Sequence, residues 1–199
     1  SKKNLVTPEV SGLENPDFLK AAVDFGIRYC VTDTSQPGYS NPTPNAGMYN
    51  NWQPKLLMIC RYPTELYESA TTPEQWVGLY NAIYSGYWGR DLTYAEILDN
   101  QSDRLLLYLL KGDTNPLMFH QGNLRAYDGV NSMLGDLIDA TLAKYKAVYN
   151  LPIISPTMDQ TGVLVQNRMS YDWTRVVGVL RPGISVSITA SGRSKIPMT

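Results

Sequence analysis

The chain has 199 residues, of which 43% are hydrophobic and 18% charged, a balance that suits one ordinary domain and is too apolar for a disordered segment. Seventeen basic against eighteen acidic side chains give a net charge of −1, without the basic excess of a nucleic-acid binder. No apolar run approaches the ~18–20 residues of a membrane span. A zinc site normally takes at least three His, Cys or carboxylate ligands. The chain has one histidine, His120, and two cysteines, Cys30 and Cys60, which could join it but more commonly stay buried thiols. A metallohydrolase reading therefore has to find its ligands elsewhere.

Asn15-Pro16 opens the first predicted helix. Asn15 can cap free N–H groups and Pro16 presets φ, with Phe18, Leu19, Ala22 and Val23 as the apolar face and Gly26 as the stop. A β-rich run, Ile27 to Thr32, ends at Asp33. A long loop from residue 34 to 54 follows, punctuated by four prolines, a length that tends to be functional. Leu56 to Cys60 reads as a buried strand emptying into Arg61-Tyr62-Pro63-Thr64. Thr72-Pro73-Glu74-Gln75 is a capping box for a helix through Tyr84, and Thr93 with Glu96 is a second box for a helix to about Lys111, stopped by Gly112. Leu117 to His120 reads as a short strand, Gln121 to about Val130 as a polar loop, and Ser132 to about Tyr149 as a helix. Ile153-Ile154 is a further short-strand candidate. Arg175–Leu180 and Ile184–Thr189 form two strands around Arg181-Pro182-Gly183.

Alternating strands and helices imply an α/β fold with a mainly parallel sheet, and ligands sit at the carboxyl ends of such strands. Thr32-Asp33-Thr34, Cys60-Arg61-Tyr62 and Phe119-His120-Gln121 all break from strand to loop with chemistry at the break, so parallel strands would bring the three to one rim. His120 can act as a general acid or base, or simply pack at a strand end. Asp33 can orient a partner, bind a sugar hydroxyl or cap its own loop. Arg61 with Tyr62 can clamp a polar substrate or form an ordinary surface pair.

Eight tyrosines and three tryptophans lie between Tyr39 and Tyr94. Trp76, Tyr80 and Tyr84 recur at helical spacing and read as a core stripe. Tyr39, Tyr49, Trp52, Tyr62 and Tyr67 are the candidates for stacking on sugar rings. Cys30 and Cys60 read as buried thiols, with their disulfide status open. Asn100-Gln101-Ser102 matches the glycosylation sequon.

The stretch Thr7-Pro8-Glu9-Val10-Ser11-Gly12-Leu13, the Asn15-Pro16 helix, Gly26 to Ser35, Arg61-Tyr62-Pro63-Thr64, Pro116 to Leu124 and the closing Lys195 to Thr199 together resemble the later half of NodB-homology polysaccharide deacetylases. Within that group the likeness is to the galactosaminogalactan (exopolysaccharide) deacetylases. The resemblance implies part of a distorted (β/α) barrel with terminal β-strands, and residues 1–199 as the C-terminal part of the deacetylase domain. An aspartate pair and a His-x-x-x-His motif supply the base and the divalent metal site in that family, zinc foremost. Neither motif is in this chain, so the resemblance places the metal-binding half upstream in the same polypeptide.

His120 matches the family's late-strand histidine, which protonates the departing amine. Asp33 resembles its later aspartate-bearing strand end. Arg61 and Tyr62, with Tyr39 and Trp52, are the expected substrate contacts. The implied function is metal-dependent N-deacetylation of N-acetylhexosamine units by a secreted or cell-surface protein. The alternative is a non-catalytic carbohydrate-binding or scaffold domain, and a glycosidase using Asp33 and Glu65 is a third reading. The Ser1-Lys2-Lys3 start and the strand-like end suit a piece of a longer polypeptide.

Overall fold

The computed structural model describes residues 4–6 (backbone only), 11–32 and 45–192. The chain divides into two units. One holds the described residues of 1–61, 114–116 and 155–199; the other holds 62–113 and 117–154.

The first unit is built on four strands, β1 (Asn4–Val6), β2 (Tyr29–Thr32), β3 (Met48–Tyr49) and β4 (Leu57–Cys60), in the order β1-β2-β4-β3. β1, β2 and β4 run parallel, with Cys30 opposite Met58 and Thr32 opposite Cys60, while β3 closes the edge antiparallel. Every residue of β2 and β4 is buried, as expected where both faces of a parallel sheet are covered. Alternation sends the side chains to opposite sides. Cys30 and Met58 pack with Leu13, Leu19, Val23 and Leu56 under helix α1 (Pro16–Asp24). Tyr29, Leu57 and Ile59 pack with Val165 and Met169 of helix α5 (Met158–Asp172). α1 is capped as its sequence indicates: Asn15 Oδ1 accepts from the N–H groups of Asp17 and Phe18 at 3.0 and 3.1 Å.

α5 has no counterpart in the sequence reading. Its buried residues are Thr161, Gly162, Val165 and Met169, too small and too polar to show an apolar stripe. Its one signal is local, a Gln160 side chain that accepts the Thr157 N–H at 2.8 Å. A bare α-carbon at Gly162 lets the helix settle on the Tyr29 ring, and a Cβ there would fall among the ring atoms. Beyond α5, β7 (Val176–Arg181) and β8 (Ser185–Ala190) pair as an antiparallel hairpin.

The second unit packs helices α2 (Pro73–Trp88), α3 (Tyr94–Leu110) and α4 (Met133–Val148) around Trp76, Tyr80, Ile97, Leu105, Met133 and Leu137. Trp76 and Tyr80 are buried and Tyr84 packs against them, so the stripe is core. Thr93 and Glu96 form the reciprocal box; in α2 the Gln75 side chain instead reaches back to the N–H of Thr71. Bonded first to Arg90 and then to Thr93, the Glu96 carboxyl is held down to about 2. α2 runs a turn beyond Tyr84, because Gly86 is tolerated inside a helix and the left-handed stop is Gly89, at φ 69°. Asp136 on α4 accepts from the hydroxyls of Tyr94, at 2.5 Å, and Tyr127, at 2.8 Å, and that bond is the main cause pushing the Tyr127 phenol up to about 12.

A short parallel pair, β5 (Tyr62–Pro63) and β6 (Leu117–Met118), completes this unit. β6 stops two residues short of the expected strand, and Gln121–Leu124 forms a 3₁₀ turn where a loop was expected. Ile153 and Ile154 form no strand. The result is a mixed α/β fold with sheets of four, two and two strands, and no closed barrel among the described residues. No helix there is long and apolar enough to cross a membrane.

Replacing Gly162 with Ala forces either Tyr29 or α5 to move. The expected loss is about 1–3 kcal/mol, the usual cost of overpacking a filled core, read as a lower denaturant midpoint. An unchanged midpoint would mean that α5 does not sit on Tyr29.

Candidate functional site

His120 lies two residues beyond β6, half-buried, between the exposed Phe119 and the Gln121–Leu124 turn. Parallel pairing sets Tyr62 opposite Leu117 and Pro63 opposite Met118. Thr64 and His120 therefore both emerge past the carboxyl ends of adjacent strands, where ligands collect in parallel sheets. Two bonds tie this end. The buried Thr64 hydroxyl donates to the Met118 carbonyl at 2.7 Å, and the His120 N–H donates to Asn123 Oδ1 at 2.7 Å.

Beside it, Glu65 adopts φ 57°, a left-handed conformation that costs a non-glycine residue roughly 1–2 kcal/mol. The strain is held in place from three directions. Trp76 Nε1 donates to the Glu65 carbonyl at 2.7 Å, Arg104 pairs with Oε1 at 2.9 Å, and the Tyr84 hydroxyl donates to Oε2 at 3.2 Å. Arg104 Nε also donates to the Tyr108 hydroxyl at 2.9 Å, and the Tyr108 ring packs on Tyr62 at 4.7 Å between centroids. Tyr62 thus rests on a fixed aromatic partner. With both oxygens of Glu65 occupied, the site gives no support to a glycosidase acid at this position. Tyr67 is half-buried, its hydroxyl is buried without a hydrogen-bond partner among the described residues, and burial is the main cause pushing its phenol well above the usual range.

In the other unit, the carboxyl ends of β2 and β4 carry Thr32 and Cys60 as register partners, and the Arg61 N–H donates to the Thr32 carbonyl at 3.0 Å. Asn115 Nδ2 donates to the Cys60 carbonyl at 2.8 Å. Asn45, at φ 63°, receives the Thr114 N–H and hydroxyl on its Oδ1. Trp52 is 66% exposed on a turn built by the buried Asn50, whose Oδ1 accepts from the N–H groups of Trp52 and Gln53 at 2.9 Å. The Tyr49 hydroxyl accepts from Gln166 Nε2 at 3.1 Å.

Of the sequence-derived site residues, His120 and Tyr62 fall in the second unit and Arg61 and Trp52 in the first. Asp33 and Tyr39 lie outside the described residues. The structure thus brings the β2 and β4 ends together and pairs β5 with β6, but the expected three-strand rim spans two units. Sequence reasoning missed Asn123, Thr64 and Arg104. Only the turn-like Gln121-Gly122-Asn123 gave any hint of the first.

The family model for the Agd3 deacetylase domain matches residues 1–176. The chain belongs to the Agd3 deacetylase domain family. A crystal structure described as Agd3, a novel carbohydrate deacetylase, shares the fold, with a TM-score of 0.77 at 20% identity over 96% of this chain and 31% of that one. The chain thus spans just under a third of that solved chain. No curated protein sequence matches it.

Within this Agd3 deacetylase domain, no group of three or more His, Cys, Asp or Glu among the described residues is placed to hold a metal ion. Cys30 and Cys60 are both buried, offset by two residues in the β2–β4 register, and they make no disulfide. The described residues do not fit the divalent metal that the resemblance implies. The sequon falls inside α3, where Asn100 Nδ2 already donates to the Glu96 carbonyl at 2.8 Å and Gln101 and Ser102 are buried, so the segment is poorly placed for glycosylation.

Arg104→Met leaves Glu65 with the Tyr84 hydroxyl alone. Because Arg104 is partly exposed to solvent, the expected loss is about 1 kcal/mol rather than the full cost of a buried charge. In a double-mutant cycle with Glu65→Gln, the two losses should be non-additive. Simple additivity would show that the pair is not coupled.

Proposed function

We propose that this domain takes part in hydrolysing the acetamide of N-acetylhexosamine units in an exopolysaccharide, with His120 as the general acid. A base outside the described residues takes one proton of the attacking water as its oxygen adds to the carbonyl carbon, the C–N bond breaks, and the imidazolium gives its proton to the departing nitrogen. The new carboxyl group loses the second water proton to solvent, from which the imidazole is reprotonated. Acetate and a free amine result. The carrying observation is the match to the Agd3 deacetylase domain over residues 1–176, with the chain's one histidine at the carboxyl end of a parallel strand pair. At this strand end His120 is half-buried, which leaves it open enough to meet a polymer.

Substrate contact falls to Arg61, Tyr62, Trp52, Asp33 and Tyr39 in this reading. Tyr62 is fixed by Tyr108 and Trp52 is held out by Asn50, arrangements that suit stacking against sugar C–H faces. The divalent metal, zinc foremost, would be held by ligands outside the described residues, on the remainder of the same polypeptide. A polymer made for the cell exterior places the protein as secreted or surface-bound.

A carbohydrate-binding role without catalysis is the second reading, favoured by the exposure of Trp52 at 66%. Two substitutions separate them. In the active protein, His120→Ala is expected to lower turnover by roughly 10²–10⁴, the span of general acid catalysis, read as acetate released from an N-acetylated polymer. Activity within a few-fold of the parent would remove His120 from the mechanism. Polymer binding that survives His120→Ala but is lost with Trp52→Ala, in a protein that releases no acetate, would favour the binding role.

A further inference from the structure

We infer that Asn123 is the positioning residue for His120, a role that rests on the reading of His120 as the acid. Asn123 is completely buried, and its side chain uses both kinds of polar group. Oδ1 accepts the His120 N–H at 2.7 Å, while Nδ2 donates to the carbonyls of Tyr67 and Ala70, both at 3.0 Å. The Asn123 N–H returns a bond to the His120 carbonyl at 3.0 Å. Closing the turn needs only the bonds to His120. The two Nδ2 bonds do something else: they fasten the turn to the 67–70 segment that leads into α2.

The neighbours serve the same fastening. A Cβ at Gly122 would come within 3.1 Å of Thr71 Cγ2 and 3.4 Å of the Glu68 carbonyl, so the turn lies against that segment with almost no space between. Arg125 donates to the Thr71 hydroxyl at 3.2 Å. On the other side of His120, Thr64 holds the Met118 carbonyl. The backbone of His120 is thus clamped from both directions. No other residue reproduces the Asn123 pattern. Aspartate keeps the acceptor but sets a carboxylate against two carbonyls; alanine loses all three side-chain bonds.

His120 is the chain's one histidine, so its imidazole gives a single set of NMR signals. In the parent, its amide should exchange at least about tenfold more slowly than an unstructured amide. Asn123→Ala should remain folded by circular dichroism while that protection is lost and the imidazole signals move towards free-histidine values. Asn123→Asp should keep the amide protection yet still shift the imidazole. In the active protein, Asn123→Ala should lower kcat roughly 10–100-fold with KM within about twofold, the signature of a displaced catalytic group.

A folded Asn123→Ala variant with unchanged imidazole signals and kcat would overturn the assignment. If that variant fails to fold, the parent amide decides: exchange at the unstructured rate overturns the assignment, and protection supports it. His120→Ala with undiminished acetate release would instead overturn the catalytic reading, leaving the amide and imidazole result to stand as structure alone.

Discussion

Backbone groups that leave the ladder inside a protein must still find partners, at about 1–3 kcal/mol for each one left unsatisfied. In this chain asparagine side chains meet much of that demand. An amide side chain carries the same donor and acceptor as a peptide group and can stand in for a missing strand or turn. Asn50 donates to the Leu13 carbonyl while accepting two N–H groups from its own turn. Asn81 exchanges both bonds with the backbone of Leu92, tying α2 to the entry of α3. Asn115 takes the Cys60 carbonyl at the end of β4, and Asn123 holds the turn after β6. One parallel strand in each unit, β4 and β6, is therefore followed by an asparagine contact, and Arg61 and His120 stand next to those ends.

Much of the fold follows from local rules. Caps at Asn15, Thr72, Thr93 and Ser132 start helices where the sequence places them, because capping acts within one turn of chain. β2 and β4 were legible as continuous apolar runs, the mark of strands covered on both faces. The elements that escaped are those whose evidence is not local. α5 is recognisable only once Tyr29 is in place beneath Gly162. β1 and β3 are three and two residues long and exist as strands only through their partners β2 and β4.

The site was legible in the same uneven way. His120 stood out by chemistry and position, and Trp52 as an aromatic outside the regular apolar stripes; the structure leaves the first half-buried and the second exposed. Asn123 was invisible for the opposite reason. Its type and its neighbours Gln121 and Gly122 signal an exposed polar turn, whereas it is fully buried. A polar residue in a turn is read as solvated by default, and only the tertiary approach of the 67–70 segment reverses that. Parallel direction alone does not place β4 and β6 in one sheet, and they fall in separate sheets.

The supports of His120 have one more consequence. Thr64, Asn123 and the 67–71 segment all lie in the unit that contains His120. Its backbone is held by contacts within 117–125 and 64–71. A general acid works by being in place before charge develops on the leaving nitrogen, so preorganisation has to come from the scaffold rather than from the substrate. The strained, triply held Glu65 beside Thr64 fits the same logic. A backbone conformation that costs roughly 1–2 kcal/mol persists only where its surroundings over-determine it. Rigidity is concentrated around the residue that would move the proton, while Trp52, an aromatic side chain suited to a polymer, is left exposed.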